Sequence, residues 1–276
     1  MQFLLFFTDA CPQESIDTSQ SWKWYTTAAI GVGLEQNPFA VPLVAPSLLG
    51  SAQLVRLPDP KMVSAALRPD DPAPFRIWKN IKGKERREKA LNRLLASGHA
   101  GKCLFLSHST LSQFVDGVAD MYLTNSCRGF VRKHGLIGYP EYVINCSPFA
   151  GEIFVTRQRL ISLTWLVHCL RIFFQKSSES FGNVEALFIH DNLPFNREDD
   201  ITIVRALLNA LAPGRIHFMT ERDQFEFAPA DNLAVATNDF IAGKDPTIQK
   251  WVWKDGRPRN FYMTADEGNG TFTRYI

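Results

Sequence analysis

Gln2-Phe3-Leu4-Leu5-Phe6-Phe7-Thr8-Asp9 is the stretch that decides the fold class. In an extended chain, alternate side chains point to opposite faces. Phe3, Leu5 and Phe7 then line one face, and Leu4 and Phe6 the other. A strand apolar on both faces is buried on both, so it belongs inside a sheet that is covered on each side. The stretch ends abruptly in a carboxylate, Asp9. It is short, has no basic lead and is interrupted by Asp9, so it does not read as a secretory signal peptide.

Working outward, alternation predicts a second strand from about Trp22 to Leu34. Trp22, Trp24, Thr26, Ala28, Ile30, Val32 and Leu34 share one of its faces. Gly31 and Gly33 fall on the other, which predicts a bulge or the close approach of another element. Residues 37–74 are Pro-rich and weakly patterned, and read as an insertion. A basic helix is expected over 79–97, a strand over 102–107 and an amphipathic helix over 109–124. Residues 128–147 show no clear period. A long helix, apolar nearly all round, is expected over 151–175 and calls for burial between other elements. A short apolar strand over 184–190 ends at Asp191. The next helix opens with Glu198-Asp199-Asp200, which suits the positive end of the helix dipole, and stops at Pro213-Gly214. A strand over 215–219, a short helix over 231–241 after Pro229, and an extension over 243–276 with edge structure complete the chain. Strands come first and then alternate with helices, the pattern of an α/β domain with a mixed sheet. We expect one domain over 1–276.

The 276 residues are 45% hydrophobic and 21% charged, the balance of a folded chain rather than a disordered one. A net charge of +2 gives no global signal for nucleic acid, which leaves a local basic patch as the only electrostatic route to it. Five cysteines, Cys11, Cys103, Cys127, Cys146 and Cys169, are odd in number and irregular in spacing, so a disulfide framework is not expected and a reducing, cytoplasmic compartment is. The apolar run over 160–174 contains His168 and Arg171 and is too short to span a bilayer.

Three carboxylates stand in similar contexts. Asp9 and Asp191 end strands, and Asp231 begins a helix after the last strong strand. Residues at the ends of adjacent strands and at a following helix start converge in space although they are distant in sequence. Carboxylates held together repel, and a divalent cation relieves the repulsion. Hard oxygen ligands suit magnesium or manganese, and two such ions clamp the attacking and leaving oxygens of a phosphodiester. The structural alternative stands beside each of them: Asp9 as the start of a turn, Asp191 as an Asx-turn, Asp231 as a helix cap.

The order of these features resembles the domain of unknown function 3800 family, whose fold is RNase H-like. The resemblance rests on Phe3-Leu4-Leu5-Phe6-Phe7-Thr8-Asp9, on Thr27-Ala28-Ala29-Ile30-Gly31-Val32-Gly33, and on the Lys-Gly step in Ile81-Lys82-Gly83-Lys84-Glu85-Arg86-Arg87. It continues with Leu187-Phe188-Ile189-His190-Asp191 and with Ala230-Asp231-Asn232-Leu233-Ala234. It covers about Gln2 to Gly243 and implies a mixed sheet with helices on both faces. Members follow the first Asp at once with Glu, Ser and Gly, whereas here Ala10-Cys11-Pro12-Gln13 intervene before Glu14-Ser15 and the Gly is missing. The resemblance implies a magnesium- or manganese-dependent nuclease with Asp9, Asp191 and Asp231 as ligands and Glu14 as a fourth acidic group. The altered loop keeps a second expectation open, a non-catalytic RNase H-like module that binds a protein or nucleic acid.

Lys82, Lys84, Arg86 and Arg87 head the basic helix and are the candidate contacts to a phosphate backbone. The plainer reading is a solvated helix face with Glu85 and Glu88 as partners. Trp22 and Trp24 offer stacking surfaces but share a face suited to the core. Gly31-Val32-Gly33 lacks the third glycine of a dinucleotide loop, and Gly98-His99-Ala100-Gly101-Lys102 lacks the spacing of a phosphate loop. Cys127, His134 and Cys146 lack zinc spacing. His108, after a strand, and His190, beside Asp191, are the candidate bases of a third reading, a hydrolase of other substrates.

Overall fold

The computed structural model describes residues 2–12, 25–34, 80–96, 102–109, 131–133, 142–191, 198–221, 228–249, 253–254, 257–258, 261–266 and 269–275. The helix expected over 109–124, apart from Ser109, which belongs to a strand, lies outside them, as do the Pro-rich stretch, Glu14, Trp22, Trp24, Cys127 and His134.

The first strand, β1 (Gln2–Pro12), lies between two partners of opposite sense. β2 (Tyr25–Leu34) pairs with it antiparallel, and β7 (Val184–Asp191) pairs with it parallel. β3 (Lys102–Ser109) extends the antiparallel side and β8 (Ile216–Glu221) the parallel side. β9 (Trp253–Lys254) and β10 (Arg257–Pro258) pair only with each other among the described residues, and β11 (Phe261–Asp266) and β12 (Asn269–Tyr275) complete a seven-stranded mixed sheet in the order β12-β11-β3-β2-β1-β7-β8. The expectation of edge structure near the C-terminus is met by these last two strands.

Alternation then sorts the central strands into two faces. Leu4, Phe6 and Thr8 of β1 lie level with Ala186, Phe188 and His190 of β7. Leu4, Phe6, Ala186 and Phe188 join a core cluster with two helices, α2 (Arg157–Phe181) and α3 (Glu198–Leu211), through residues such as Leu163, Leu170, Val204 and Leu207. Burying each large apolar side chain of this kind stabilises the fold by roughly 1.5–3 kcal/mol. The opposite face carries Phe7, Asp9, Ile189 and Asp191. It is packed by α4 (Ala228–Ile241), which contacts β1 and β2. The hydroxyl of Thr26 on β2 donates to Asn238 Oδ1 on α4 at 2.7 Å. The domain is therefore α/β, with a mixed sheet and helices on both faces.

Around 151 the structure departs from the expected helix. Glu152–Val155 form a strand, β6, which pairs with β5 (Tyr142–Asn145). With β4 (Val131–Lys133) they make a separate three-stranded sheet in a region without a legible period. Thr156 ends the strand and caps the helix, its side chain accepting from the backbone N–H of Arg159 at 3.3 Å. The same helix runs on past 175 through a polar stretch. Lys176 pairs with Glu179 at 2.8 Å, and Ser177 donates to the carbonyl of Phe173 at 2.7 Å, so local partners carry the helix onward. Similarly, α4 begins at Ala228 and takes Pro229 into its first turn, where the missing N–H costs nothing.

Two contacts hold the α2–α3 layer in place. Arg159, near the start of α2, forms a buried ion pair through Nε with Asp200 in the first turn of α3. On the sheet beneath, Phe6 stacks on Phe188 with ring centroids 4.7 Å apart and planes 14° apart. Gly31 pairs directly with Phe6. A Cβ built on Gly31 would overlap the Phe6 ring, so the close approach expected there is the ring of the facing residue, and the β1–β2 register runs without a bulge. Gly31→Ala is expected to lower stability by about 1–3 kcal/mol, the usual cost of overpacking. Urea unfolding checks this, and Phe6→Leu in the same chain should recover part of the loss. An unchanged midpoint for Gly31→Ala would remove the ring-over-glycine account.

Candidate functional site

The last paired residues of β1 and β7 are Thr8 and His190. One residue further on stand Asp9 and Asp191. Parallel neighbours lie about 4.8 Å apart, so the two carboxylate-bearing positions are adjacent at the C-terminal ends of the central strands. Both residues are half-buried. β1 does not end at Asp9, as the sequence suggests, because its pairing with β2 continues through Pro12. Asp9 ends only the parallel half of the strand. Its antiparallel partner is Ala28, fully buried, which puts a methyl group beside it.

Asp231 lies in the first turn of α4 and is half-buried. Asn238, two turns later, shares its side of the helix, and Asn238 is the residue that bonds to Thr26 on the sheet. Thr26 pairs with Cys11, two residues beyond Asp9. The α4 side carrying Asp231 therefore faces the sheet face that carries Asp9 and Asp191. Among the described residues, no group of three or more His, Cys, Asp or Glu side chains is gathered closely enough to hold a metal ion. Asn232, next to Asp231, is buried, and its Oδ1 has no hydrogen-bond partner among the described residues.

The next strand adds a position that strand-by-strand reading missed. Glu221, the last residue of β8, pairs with Asp191. Sequence spacing had no signal for it, because the register between β7 and β8 depends on how α3 returns the chain.

His190 neighbours Asp191 in sequence, but the strand turns it to the opposite face. Its ring is fully buried. Nδ1 lies 2.8 Å from Thr8 Oγ1, the ring packs tilted on Phe218, and Nε2 has no hydrogen-bond partner among the described residues. Burial pushes its pKa down to about 3, outweighing a hydrogen bond to the Thr8 backbone. A ring on the far side of the sheet from Asp9 and Asp191 is a neutral core histidine and not a base for that face. Nearby on α2, His168 is pushed down to about 4, first by burial and then by Arg171. Cys146 is buried and its thiol is pushed up to about 12 by burial and by Asp199, which makes it an inert core thiol rather than a ligand.

At the edge of the α4 layer stands the basic helix, α1 (Lys84–Ala96), which contacts α4. It starts at Lys84 rather than 79, after Gly83. Lys82, Lys84, Arg86 and Lys89 are exposed, with Glu85 the exposed carboxylate among them. Arg87 differs: Nε donates to the carbonyl of Ile81 at 3.1 Å, and Nη1 donates to Asp245 at 2.5 Å.

No family model matches the chain, and no curated protein matches it. Among the described residues no helix is long and apolar enough to cross a membrane.

Buried His190 and half-buried His168 set a pH dependence whose sign follows from their lowered pKa values. Unfolded, each takes up a proton near pH 6.5, while folded His190 resists until about 3 and His168 until about 4. Their contribution to stability is therefore complete above about 6.5 and is lost as pH falls from there. Each histidine contributes a slope of up to about 1.4 kcal/mol per pH unit within its window. Urea unfolding measured from pH 7 to pH 4 should show this loss, and His190→Phe should flatten it. An equal slope in the variant would count against a buried neutral His190.

Proposed function

We propose that the chain is an RNase H-like domain that cleaves the phosphodiester bonds of RNA or DNA. Magnesium or manganese would bind at Asp9 and Asp191, and Asp231, which the fold does not bring close enough to complete a three-carboxylate group, would have to move in to serve as the third ligand. The observation that carries this reading is the pair of half-buried carboxylates at neighbouring register positions, Asp9 and Asp191, one step past the Thr8–His190 pair. Two like charges that close destabilise each other, and a divalent cation relieves this. Their oxygens are the hard donors that magnesium and manganese prefer. Asp231 enters the proposal through its place on the sheet-facing side of α4, and Glu14 remains a candidate by resemblance alone.

A bound divalent ion would supply charge neutralisation at the scissile phosphate. The chain's own contribution is placement. β1 and β7 are held in register by the core beneath them, so Asp9 and Asp191 are fixed by backbone pairing rather than by flexible loops. The exposed cations of α1 lie in the layer on the same side of the sheet and supply the attraction for a phosphate backbone. The continuation of β1 through Ala10-Cys11-Pro12 favours a second reading, a module with the same fold that binds nucleic acid or a protein without cleaving, because the pairing with β2 carries the strand three residues past Asp9.

Purified full-length chain is to be assayed on labelled single- and double-stranded RNA and DNA with magnesium or manganese. Cleavage should require the metal. Asp9→Asn or Asp191→Asn should each reduce the rate by about 10²-fold or more, the scale on which losing one group that stabilises developing charge is felt. Full activity in the Asp9→Asn/Asp191→Asn double variant would refute the assignment. Binding without cleavage by the unaltered chain would select the second reading.

A further inference from the structure

The basic helix contains a cation that is chemically separate from the rest. Arg87 has one guanidinium nitrogen on the carbonyl of Ile81, itself buried, and another on Asp245, an ion pair whose side chains are only 25% and 10% exposed. Asp245 is in turn fully engaged. Its Oδ1 accepts from the backbone N–H of Thr247 at 2.9 Å and from the Thr247 hydroxyl at 2.5 Å, which leaves Oδ2 for Arg87. Burial raises the Asp245 pKa, but the bonds from Thr247 and Arg87 outweigh it and hold the carboxyl below its usual value. The carboxylate is delivered by the turn that ends α4. Gly243 takes φ 71°, a left-handed conformation that favours glycine, and the N–H groups of Lys244 and Asp245 both return to the carbonyl of Asp239.

α4 is the helix that packs on β1 and β2 over the Asp9 face. Arg87 and Asp245 thus connect the basic helix to the helix that packs on the Asp9 side of the sheet. Lys82, Lys84, Arg86 and Lys89 remain exposed, four cations against the one exposed carboxylate of Glu85.

We propose that Arg87 is a positioning residue rather than a phosphate contact: with Asp245 it clamps α1 to the end of α4, and so holds the exposed cations of α1 in a fixed array that a nucleic-acid backbone can engage. This deepens the nucleic-acid reading above and rests on it. A free surface arginine and lysine exchange roles readily at a phosphate. A guanidinium that must reach Ile81 and Asp245 together does not, because an ammonium lacks the planar fork.

The test measures binding of labelled RNA and DNA duplexes, without divalent metal, over a range of salt. It is paired with hydrogen exchange of the α1 amides in the absence of nucleic acid. Lys84→Gln removes a direct contact, so the slope of log affinity against log salt should become shallower by about 0.9. Arg87→Gln and Arg87→Lys should both weaken binding about tenfold at low salt, and both should speed exchange across α1. Asp245→Asn, which removes the carboxylate partner and leaves every cation of α1 in place, should speed exchange and weaken binding in the same way. Affinity retained in Arg87→Lys, or retained in Asp245→Asn, would make Arg87 a phosphate contact and overturn the proposal. Unchanged α1 exchange in Arg87→Gln would overturn it as well. If the unaltered chain binds neither duplex, the nucleic-acid reading itself fails, and an intact exchange response in the variants would identify that as the cause.

Discussion

Everything in the sheet depends on β1 being apolar on both faces and paired on both edges. A strand in that position satisfies all its backbone groups by pairing, and it cannot slip by one residue without turning every buried side chain to the wrong face. Phe6 makes the constraint local. Its ring stacks on Phe188 to one side and lies over Gly31 on the other, so the registers of β1 against β7 and of β1 against β2 are set by one side chain. Once those registers are set, Asp9 and Asp191 have no freedom to be anything but neighbours.

The same alternation separates two kinds of chemistry at one level of the sheet. Thr8 and His190 face the α2–α3 layer and are completely buried, with the imidazole held neutral by its surroundings. Asp9 and Asp191, one residue along, face the α4 layer and keep partial access to solvent. A titratable ring beside a carboxylate in sequence suggests a catalytic couple. In a strand, adjacency in sequence means opposition in space, and the couple is divided by the sheet itself.

Helix attachment follows a consistent rule here. Both α2–α3 and α1–α4 are joined by an arginine on one helix and an aspartate at the start or just past the end of the other: Arg159 with Asp200, Arg87 with Asp245. The Arg159–Asp200 pair is buried and the Arg87–Asp245 pair is partly so, and Arg87 and Asp245 have further partners in Ile81 and Thr247, the condition under which a desolvated ion pair is tolerated. Such pairs specify which ends of two helices meet. Apolar packing, which is non-directional, does not.

By itself the sequence determined the α/β class, the central place of β1, the strand ending at Asp191 and a strand starting near 215, and it narrowed Gly31 to a bulge or a close approach, of which the structure shows the second. All of these follow from period and composition over a few residues. It did not determine the β6 strand at Glu152–Val155, the β4–β5–β6 sheet or the run of α2 to Phe181, because short apolar or polar stretches take whichever period their neighbours impose. Of the candidate site, Asp191 was legible as a strand-end carboxylate, while Asp9 was legible only as the end of an apolar run, because β1 continues through Pro12. Their adjacency, the pairing of Asp191 with Glu221, the turning of His190 away from them and the diversion of Arg87 to Asp245 were decided only in the tertiary structure. Register between strands, and contact between helices, join residues separated by 30 positions, as for Asp191 and Glu221, to 158, as for Arg87 and Asp245, and no local pattern carries that information.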